Sequence, residues 1–248
     1  MSKLVLITGG SRGIGAATAL LAARQGYAVA VNYSANSLAA DEVVHQIRQA
    51  GGQAMAVQAD VSNEAQVVAM FEKIDAKFGR LSALVNNAGV VDQAARVDAM
   101  TLQRLQRMFE INVFGSFLCA REAVKRMSTR YGGTGGSIVN VSSAASRLGS
   151  PGQYVDYASA KGAIDTFTLG LAKEVAAEGI RVNAVRPGII ETGIHASGGL
   201  PDRVREVAPQ LPMGRAGSAE EVAESIVWLL GDGASYTTGA LLDVAGGR

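Results

Sequence analysis

The sequence predicts an α/β fold in which a doubly wound, seven-stranded parallel sheet carries helices on both faces. Short, continuous apolar runs such as Leu4–Thr8 are typical of strands that are buried on both faces of a parallel sheet. These runs alternate along the chain with longer stretches of helical periodicity, and this alternation indicates parallel βαβ units. The 248 residues contain no internal repeat and no linker, so we expect one domain over residues 1–248.

The composition excludes several classes of protein. With 48% hydrophobic and 18% charged residues, the chain can bury a sizeable core, and its net charge of +1 gives no reason to expect nucleic acid or a membrane surface as a partner. The single cysteine, Cys119, cannot form an intramolecular disulfide, and no cysteine–histidine cluster predicts a metal site. No apolar run approaches the roughly 18 residues that span a bilayer, and Leu4–Ile7 is shorter than the about 7–15 residues of a signal-peptide core. We therefore expect a soluble, cytoplasmic protein.

The first predicted strand leads into a glycine-rich loop, Thr8-Gly9-Gly10-Ser11-Arg12-Gly13-Ile14-Gly15, and a helix is predicted over Ala16–Gln25. A strand, a glycine-rich turn and a helix start bring backbone N–H groups and a positive dipole end to one point, which suits a pyrophosphate. The spacing differs from the usual G-x-G-x-x-G because Thr18 takes the third glycine's place. A plain turn would also use glycines, but the flanking strand and helix favour a dinucleotide cofactor.

The end of the second predicted strand, Ala28–Val31, bears on the choice of cofactor. NAD-binding folds usually place an acidic residue here, where it bonds the ribose 2′-hydroxyl. This chain has Asn32-Tyr33-Ser34 instead, and no acid before Asp41. Arg12 in the loop could bind a 2′-phosphate with its guanidinium fork, although it could also be a surface charge. The sequence therefore predicts NADP(H) rather than NAD(H).

The third and fourth predicted strands each end in residues that could meet a cofactor. Asp60 and Val61 follow the third strand, where Asp60 could bond an adenine ring or cap the next helix. Asn86-Asn87-Ala88-Gly89 follows the fourth, and its small residues would let the backbone approach a cofactor or would form a plain turn. The elements predicted in this part are a helix over Ser37–Ala50, a strand over Ala54–Ala59, a helix ending near Phe78 and a strand over Leu81–Val85.

The helical stretch Thr101–Arg130 is too long for one ordinary helix. Asn112 and Gly115 in its middle are poor helix-interior residues, so they indicate either a kink with a buried polar role or a break between two helices. The fifth predicted strand, Ser137–Val141, ends on Ser142 and Ser143, at the edge where open α/β sheets bind ligands.

Tyr157 and Lys161 lie four residues apart on the next predicted helix, so they share one face. An ammonium near a phenol favours the phenolate and lowers a tyrosine pKa that is normally about 10, which would let Tyr157 transfer protons near neutral pH. The same spacing also occurs on solvated helices. Tyr154 is a weaker candidate for proton transfer than Tyr157, because the residue four positions after it is Ala158 and not a lysine.

The last part of the chain completes the sheet and supplies a lid. Residues 193–217 are rich in glycine and proline with little periodicity, which predicts a mobile lid over a substrate. Its residues Ile194–Leu211 would form the pocket wall. The remaining elements are a sixth strand over Ile180–Val185, a helix over Glu220–Leu230 and a last strand over Ala240–Val244.

Together these motifs resemble the classical short-chain dehydrogenase/reductase family, whose members have a Rossmann fold, from Leu4 to the end of the chain. The resemblance is carried by the Thr8-Gly9-x-x-x-Gly13-x-Gly15 loop, Asn86-Asn87-Ala88-Gly89, Asn112, Ser143, Tyr157-x-x-x-Lys161 and the Pro187-Gly188 turn with Thr192 beyond it. It implies an NADP(H)-dependent oxidoreductase that interconverts a carbonyl and a secondary alcohol by hydride transfer. It also implies a homotetramer that pairs through the long helices and the last strand.

The resemblance also implies a role for each site residue. Tyr157 would be the general acid, Lys161 would lower its pKa and bond the nicotinamide ribose, Ser143 would hold the substrate oxygen, and Asn112 would position a water in a proton relay. The residues expected to contact the cofactor are Gly9, Ser11, Arg12, Gly13, Ile14, Gly15, Asn32, Tyr33, Ser34, Asp60, Val61, Asn87, Ala88, Gly89, Tyr157, Lys161, Pro187, Gly188, Ile190 and Thr192.

Within the family, the Arg12 loop, the Met213-Gly214-Arg215 turn and Thr238-Gly239 look most like 3-oxoacyl-[acyl-carrier-protein] reductases, and sugar dehydrogenases such as glucose 1-dehydrogenase are similar too. Ser143 precedes Tyr157 by 14 residues, one more than the common pattern, which an extra residue in the Gly149–Tyr154 loop would absorb. Ala245 stands where an aspartate is common. A non-catalytic nucleotide-sensing or scaffold protein is the alternative, although such relatives usually lose the tyrosine or the lysine.

Overall fold

The computed structural model describes residues 3–248, apart from the side chain of His195. Within this range the strands form one parallel sheet in the order β3-β2-β1-β4-β5-β6-β7, so the predicted seven-stranded, doubly wound sheet is confirmed. The strand bounds are β1 Leu4–Ile7, β2 Ala28–Tyr33, β3 Ala54–Gln58, β4 Ala83–Asn86, β5 Gly136–Val141, β6 Ile180–Pro187 and β7 Leu241–Val244.

Helices cover both faces of the sheet. Val5 and Ile7 of β1 pack into one core and Leu4 and Leu6 into the other, because successive strand side chains point to opposite faces. Helices α1, α2 and α10 cover the first core, and α3, α5 and α7 cover the second. The helix bounds are α1 Gly13–Arg24, α2 Ser37–Gln49, α3 Glu64–Phe78, α4 Leu102–Phe109, α5 Gly115–Met127, α6 Ala145–Leu148, α7 Val155–Val175, α8 Ile194–Ser197, α9 Arg203–Val207 and α10 Ala219–Leu230.

Several predicted boundaries are wrong by a few residues. Helix α1 begins at Gly13 rather than Ala16, because the glycine-rich loop already forms its first turn. Strand β2 continues to Tyr33, which pairs with Gln58, so Asn32 belongs to the strand and not to a loop after it. Strand β6 continues to Pro187, beside Val244 of β7.

The stretch after Thr101 continues through a π-helical segment, Glu110–Phe114, that joins α4 to α5. Asn112 in this segment is fully buried. Its Nδ2 donates to the carbonyls of Val90 and Met108, both at 3.0 Å, and its Oδ1 accepts the Val90 N–H at 3.2 Å. Of the two predicted alternatives, the kink with a buried polar role is therefore found, as is common where a π segment interrupts a helix.

Residues 193–217 contain more regular structure than their sequence predicts. Two short helices, α8 and α9, are followed by a 3₁₀ turn over Ala208–Gln210. The Tyr154 hydroxyl donates to the Gly198 carbonyl at 3.1 Å, so this segment is tied to the start of α7. Among the helices of residues 3–248, none is long and apolar enough to cross a membrane.

Candidate active site

The carboxyl ends of β1, β4, β5 and β6 open into a cavity of about 720 Å³. Of the sequence-predicted site residues, only Gly15 and Asn112 do not line it. The residues that do are Gly9, Ser11, Arg12, Gly13, Ile14, Asn32, Tyr33, Ser34, Asp60, Val61, Asn87, Ala88, Gly89, Ser143, Tyr157, Lys161, Pro187, Gly188, Ile190 and Thr192.

The glycine-rich loop is clasped to the turn after β4. The Thr8 hydroxyl accepts the N–H groups of Asn87 and Ala88, both at 3.0 Å, while Asn87 Nδ2 donates to the carbonyls of Thr8 and Gly9 at 2.9 and 3.0 Å. A Cβ on Gly15 would collide with the Gly9 carbonyl oxygen and would lie 2.5 Å from Asn87 Nδ2. Gly15 therefore makes the close approach of α1 to this clasp possible.

The backbone N–H groups in the first turn of α1 are not capped by the side chain of the N-cap residue. Its N-cap residue, Arg12, forms no side-chain capping bond, whereas Asn36 and Asn63 cap α2 and α3 with their side chains. Gly13 at the start of the turn has φ +53°, a conformation that side chains rarely adopt. Uncapped N–H groups at a helix N-terminus suit a phosphate, so this cradle fits a dinucleotide.

Asn32 and Asp60, near the ends of β2 and β3, line the cavity and also bond groups within the protein. The Asn32 side chain is buried, accepts the Gly9 N–H at 3.2 Å and donates to the Val57 and Ala59 carbonyls at 3.3 and 3.0 Å, so it fixes the loop. Asp60 accepts the Ser62 N–H and hydroxyl at 2.9 and 2.7 Å with one carboxylate oxygen. It does not cap α3, because Asn63 does so.

Lys161 and Tyr157 both line the cavity from the first part of α7. Lys161 Nζ donates to the Val141 carbonyl at 2.8 Å and lies 5.6 Å from the centroid of the Tyr157 ring. Burial lowers the pKa of Lys161 to about 8, although the charge of Asp165 opposes this shift. Burial raises the pKa of Tyr157 to about 12, with the Ser143 hydroxyl acting in the opposite direction.

The expectation that the Tyr157 pKa is lowered beside Lys161 is therefore wrong, because the pKa is raised. Desolvation disfavours the phenolate more strongly than nearby donors stabilise it, and the Lys161 ammonium is directed at the Val141 carbonyl. The result is a phenol that keeps its proton at neutral pH, which is the form that a proton donor needs.

The two adjacent serines at the end of β5 have different surroundings. The Ser142 hydroxyl is buried and donates to the Lys161 carbonyl at 3.1 Å. The Ser143 hydroxyl lies on the Tyr157 side of the cavity and accepts the Ala145 N–H at 3.1 Å. Between α6 and α7 the backbone turns through Ser150, a residue other than glycine with φ +45°, in the loop where the sequence predicts an additional residue.

Gly89 lies between the buried Asn112 and Lys161. A Cβ on Gly89 would be 2.8 Å from Asn112 Oδ1 and 3.5 Å from Lys161 Nζ, so a side chain here would crowd both polar groups. The Asn112 amide uses both its nitrogen and its oxygen in bonds within the protein, and its main-chain oxygen accepts a long bond of 3.5 Å from the Ser116 hydroxyl.

Comparison with known proteins identifies the family. A family model described as enoyl-(acyl carrier protein) reductase matches residues 9–248. The uncharacterized oxidoreductase YgfF of Escherichia coli is 62% identical over 99% of both chains. A cis-4-hydroxycyclohexanecarboxylate dehydrogenase of Sinomonas cyclohexanicum is 41% identical over 99% of this chain and 96% of the relative, and a 3-oxoacyl-[acyl-carrier-protein] reductase of Synechocystis is 40% identical with the same coverage. The chain belongs to the short-chain dehydrogenase/reductase family.

The solved structures agree with this assignment. A variant of a Serratia marcescens short-chain dehydrogenase/reductase superposes with a TM-score of 0.90 at 33% identity, over 99% of this chain and 97% of that one. As a short-chain dehydrogenase/reductase, the protein is an oxidoreductase that acts on CH–OH or carbonyl groups with a nicotinamide cofactor. Among the residues that the structure describes, no group of three or more His, Cys, Asp or Glu could hold a metal ion.

Two groups at the site are absent from the sequence prediction. Asp165 follows Lys161 by one helical turn and acts on its charge, and the four-residue spacing on one predicted helix could have indicated this influence. Arg248 lines the cavity, and nothing in the sequence near it indicates this, because the lid and the last turn meet only in the folded chain. Arg203 also lines the cavity, within the Ile194–Leu211 segment that the sequence predicts as the pocket wall.

Proposed function

We propose that the protein reduces a carbonyl compound to a secondary alcohol with NADPH, and that Tyr157 is the general acid. The observation that carries this proposal is the position of a protonated Tyr157 phenol on the cavity, beside the Ser143 hydroxyl and one helical turn from a buried lysine. A donor and a second hydroxyl at one point are what a carbonyl oxygen needs when negative charge develops on it.

The cofactor supplies the hydride that forms the new C–H bond at the carbonyl carbon. Ser143 holds the carbonyl oxygen in reach of Tyr157, and the Tyr157 hydroxyl transfers its proton to that oxygen as the C=O bond becomes C–OH. The phenolate that remains would be stabilised by the Lys161 ammonium. The Val141 carbonyl holds the Lys161 ammonium, and the absence of a side chain at Gly89 leaves room for it.

The charges of the side chains that line the cavity near Arg12 support a preference for NADP(H) over NAD(H). Arg12 lines the cavity and, within residues 3–248, forms no ion pair with an acidic side chain. The residues after Val31 that line the cavity, Asn32, Tyr33 and Ser34, carry no carboxylate that would repel a 2′-phosphate. An exposed guanidinium without an acidic neighbour suits that phosphate.

The names of the relatives suggest which substrates to test first. One of them is named for 3-oxoacyl groups on acyl carrier protein and another for a hydroxycyclohexane carboxylate, so β-ketoacyl thioesters and 4-oxocyclohexanecarboxylate are the first carbonyl compounds to test. The sugar dehydrogenase alternative is tested in the same assays with glucose and NADP⁺.

The decisive experiment follows NADPH oxidation with this panel for wild type, Tyr157→Phe and Tyr154→Phe. We expect turnover by wild type, retention of most activity in Tyr154→Phe, and a loss of about 10²-fold or more in kcat for Tyr157→Phe with NADPH binding retained. NADPH binding without turnover of any carbonyl compound by wild type would instead favour a nucleotide-sensing protein.

We also propose a homotetramer that pairs through the long helices. The Phe117 ring of α5 is 46% exposed although it stacks on Phe167 of α7 at 3.8 Å, and Phe114 and Leu169 nearby are exposed as well. Large apolar side chains on adjacent helices support an interface between copies. Light scattering of wild type and Phe117→Glu tests this, with a smaller particle expected for the variant.

A further inference from the structure

Two arginines line the lid side of the cavity, Arg203 on α9 and Arg248 in the turn after β7. We propose that these guanidinium groups bind a compact oxyanion, a carboxylate or a phosphate, carried by the carbonyl substrate. The inference rests on the proposed function and deepens it, because it assigns a charged group to a substrate whose reacting carbonyl lies at Tyr157.

Arg203 is held close to the proton donor by the start of α7. Its Nη1 donates to Gln153 Oε1 at 2.6 Å, and its guanidinium lies 5.7 Å from the centroid of the Tyr154 ring. Tyr154 immediately precedes α7 and Tyr157 lies in its first turn, so the two tyrosines are separated by about 5 Å along the helix axis. Arg203 therefore packs about one helical turn before Tyr157, and both residues line the same cavity.

Arg248 is presented to the same space by a tethered turn. Its N–H donates to the Ala245 carbonyl at 3.2 Å, and its main-chain oxygen accepts a bond from Arg147 Nη2 at 3.1 Å. The Gly246 carbonyl accepts the Met213 N–H at 3.3 Å, which fixes the turn to the lid. Burial, together with the positive charge of Arg203, lowers the pKa of Arg248, so the two guanidinium groups interact electrostatically.

No acidic side chain of residues 3–248 forms an ion pair with either guanidinium. Other arginines nearby do have such partners: Arg205, also on α9, lies 3.1 Å from Asp202, and Arg107, also on the cavity, lies 3.8 Å from Asp92. Two like charges that face one cavity repel each other, and an oxyanion between them would relieve this and accept fork-shaped hydrogen bonds.

The test compares matched charged and neutral carbonyl compounds at saturating NADPH. One pair is 4-oxocyclohexanecarboxylate and its methyl ester, and the other is dihydroxyacetone phosphate and dihydroxyacetone, so that a carboxylate and a phosphate are distinguished. The proteins are wild type, Arg203→Gln, Arg248→Gln, the double variant, and Arg205→Gln as the matched control on the same helix. Thermal unfolding checks that each variant is folded.

We expect wild type to prefer the charged member of at least one pair. Each single variant should raise KM for that compound about tenfold, and the double variant about a hundredfold, with the neutral member, KM for NADPH and the Arg205→Gln control unchanged. Arg203→Lys should recover part of the effect. Equal use of charged and neutral compounds by wild type, or equal losses for both in the double variant, would overturn the inference while the reductase activity stands.

Calorimetric binding of each charged compound to the NADPH-bound enzyme gives a second measurement that does not need turnover. If neither anion binds more tightly to wild type than to the double variant, the inference is overturned. If anions bind in this arginine-dependent way but no carbonyl compound is reduced, the anion site stands and the proposed reaction fails.

Discussion

The Asp165 carboxylate lies 3.6 Å from the Arg186 guanidinium, and both side chains are largely buried. Asp165 follows Lys161 by four residues on α7, while Arg186 lies on β6 and is also 2.9 Å from Asp243. Asp243 in turn lies 3.3 Å from Arg147. Alternating charges therefore connect the buried lysine of the active site with the last strand of the sheet.

Replacing Asp165 by Asn should lower the pKa of Lys161 further, because the Asp165 charge is what opposes the effect of burial. If the ammonium form of Lys161 supports reduction, activity should be lost at a lower pH on the basic side of the pH–rate profile. The measurement is kcat for carbonyl reduction by wild type and Asp165→Asn between pH 6 and pH 10.

Asp243→Asn is the control for this prediction. It removes the other acidic partner of Arg186 but leaves Asp165 in place, so it should reduce stability without moving the basic limb. A basic limb at the same pH in Asp165→Asn and wild type would show that Asp165 has no influence on the lysine.

Stability should also depend on pH through Lys161. Its pKa is about 8 in the folded protein because of burial, against 10.5 for an ordinary lysine. Between these values the unfolded chain binds one proton more than the folded protein, so stability rises with pH. Relative to Lys161→Met, wild type should therefore gain about 3 kcal/mol of unfolding free energy between pH 7 and pH 10.5.

Urea unfolding of both proteins at the two pH values measures this difference. The lost hydrogen bond to the Val141 carbonyl weakens the variant at both pH values, so it largely cancels in the comparison. Parallel changes of wild type and Lys161→Met with pH would contradict a depressed lysine pKa.

The sequence was sufficient to predict the sheet and most of the cavity. A strand buried in a parallel sheet appears in the sequence as a continuous apolar run such as Leu4–Ile7, and a helix that starts at a phosphate cradle appears as a glycine-rich loop. Each of these signals lies within a few consecutive residues. The Tyr157–Lys161 pair is also local, since a four-residue spacing on a helix fixes its geometry.

What the sequence could not supply depends on burial and on distant segments. The direction of the Tyr157 pKa shift follows from desolvation, which exists only in the packed protein. The bonds of the Asn32 amide to the Val57 and Ala59 carbonyls join segments that are far apart in the sequence. Arg203 and Arg248 come together because the lid folds over the last turn.

Gly15→Ala should weaken both the fold and cofactor binding. The added Cβ would meet the Gly9 carbonyl and Asn87 Nδ2, two groups that hold each other by a hydrogen bond of 3.0 Å and cannot separate without opening the clasp. We expect a loss of about 1–3 kcal/mol in stability and about tenfold weaker NADPH binding, measured by urea unfolding and fluorescence titration.

Gly231→Ala is the matched control for this change. Gly231 has φ −82°, and a Cβ there would lie no closer than 3.5 Å to the Val227 carbonyl, so alanine fits without strain. Its stability should be unchanged or about 0.4–1 kcal/mol higher. Equal stability and NADPH affinity in Gly15→Ala and Gly231→Ala would show that the clasp tolerates a side chain at Gly15.

Arg12→Gln should remove the preference for NADPH. Arg12 is exposed on the cavity at the N-terminus of α1, where a fork-shaped contact with a 2′-phosphate would contribute about 1.5–3 kcal/mol. KM for NADPH should therefore rise about tenfold or more while KM for NADH and kcat stay the same. Arg24→Gln, an exposed arginine at the other end of α1, should change neither value. Tighter binding of NADH than NADPH by wild type would contradict the role of Arg12. In that case Ser34→Asp should strengthen NADH binding further, because it adds a carboxylate at the end of β2 that can bond the ribose 2′-hydroxyl.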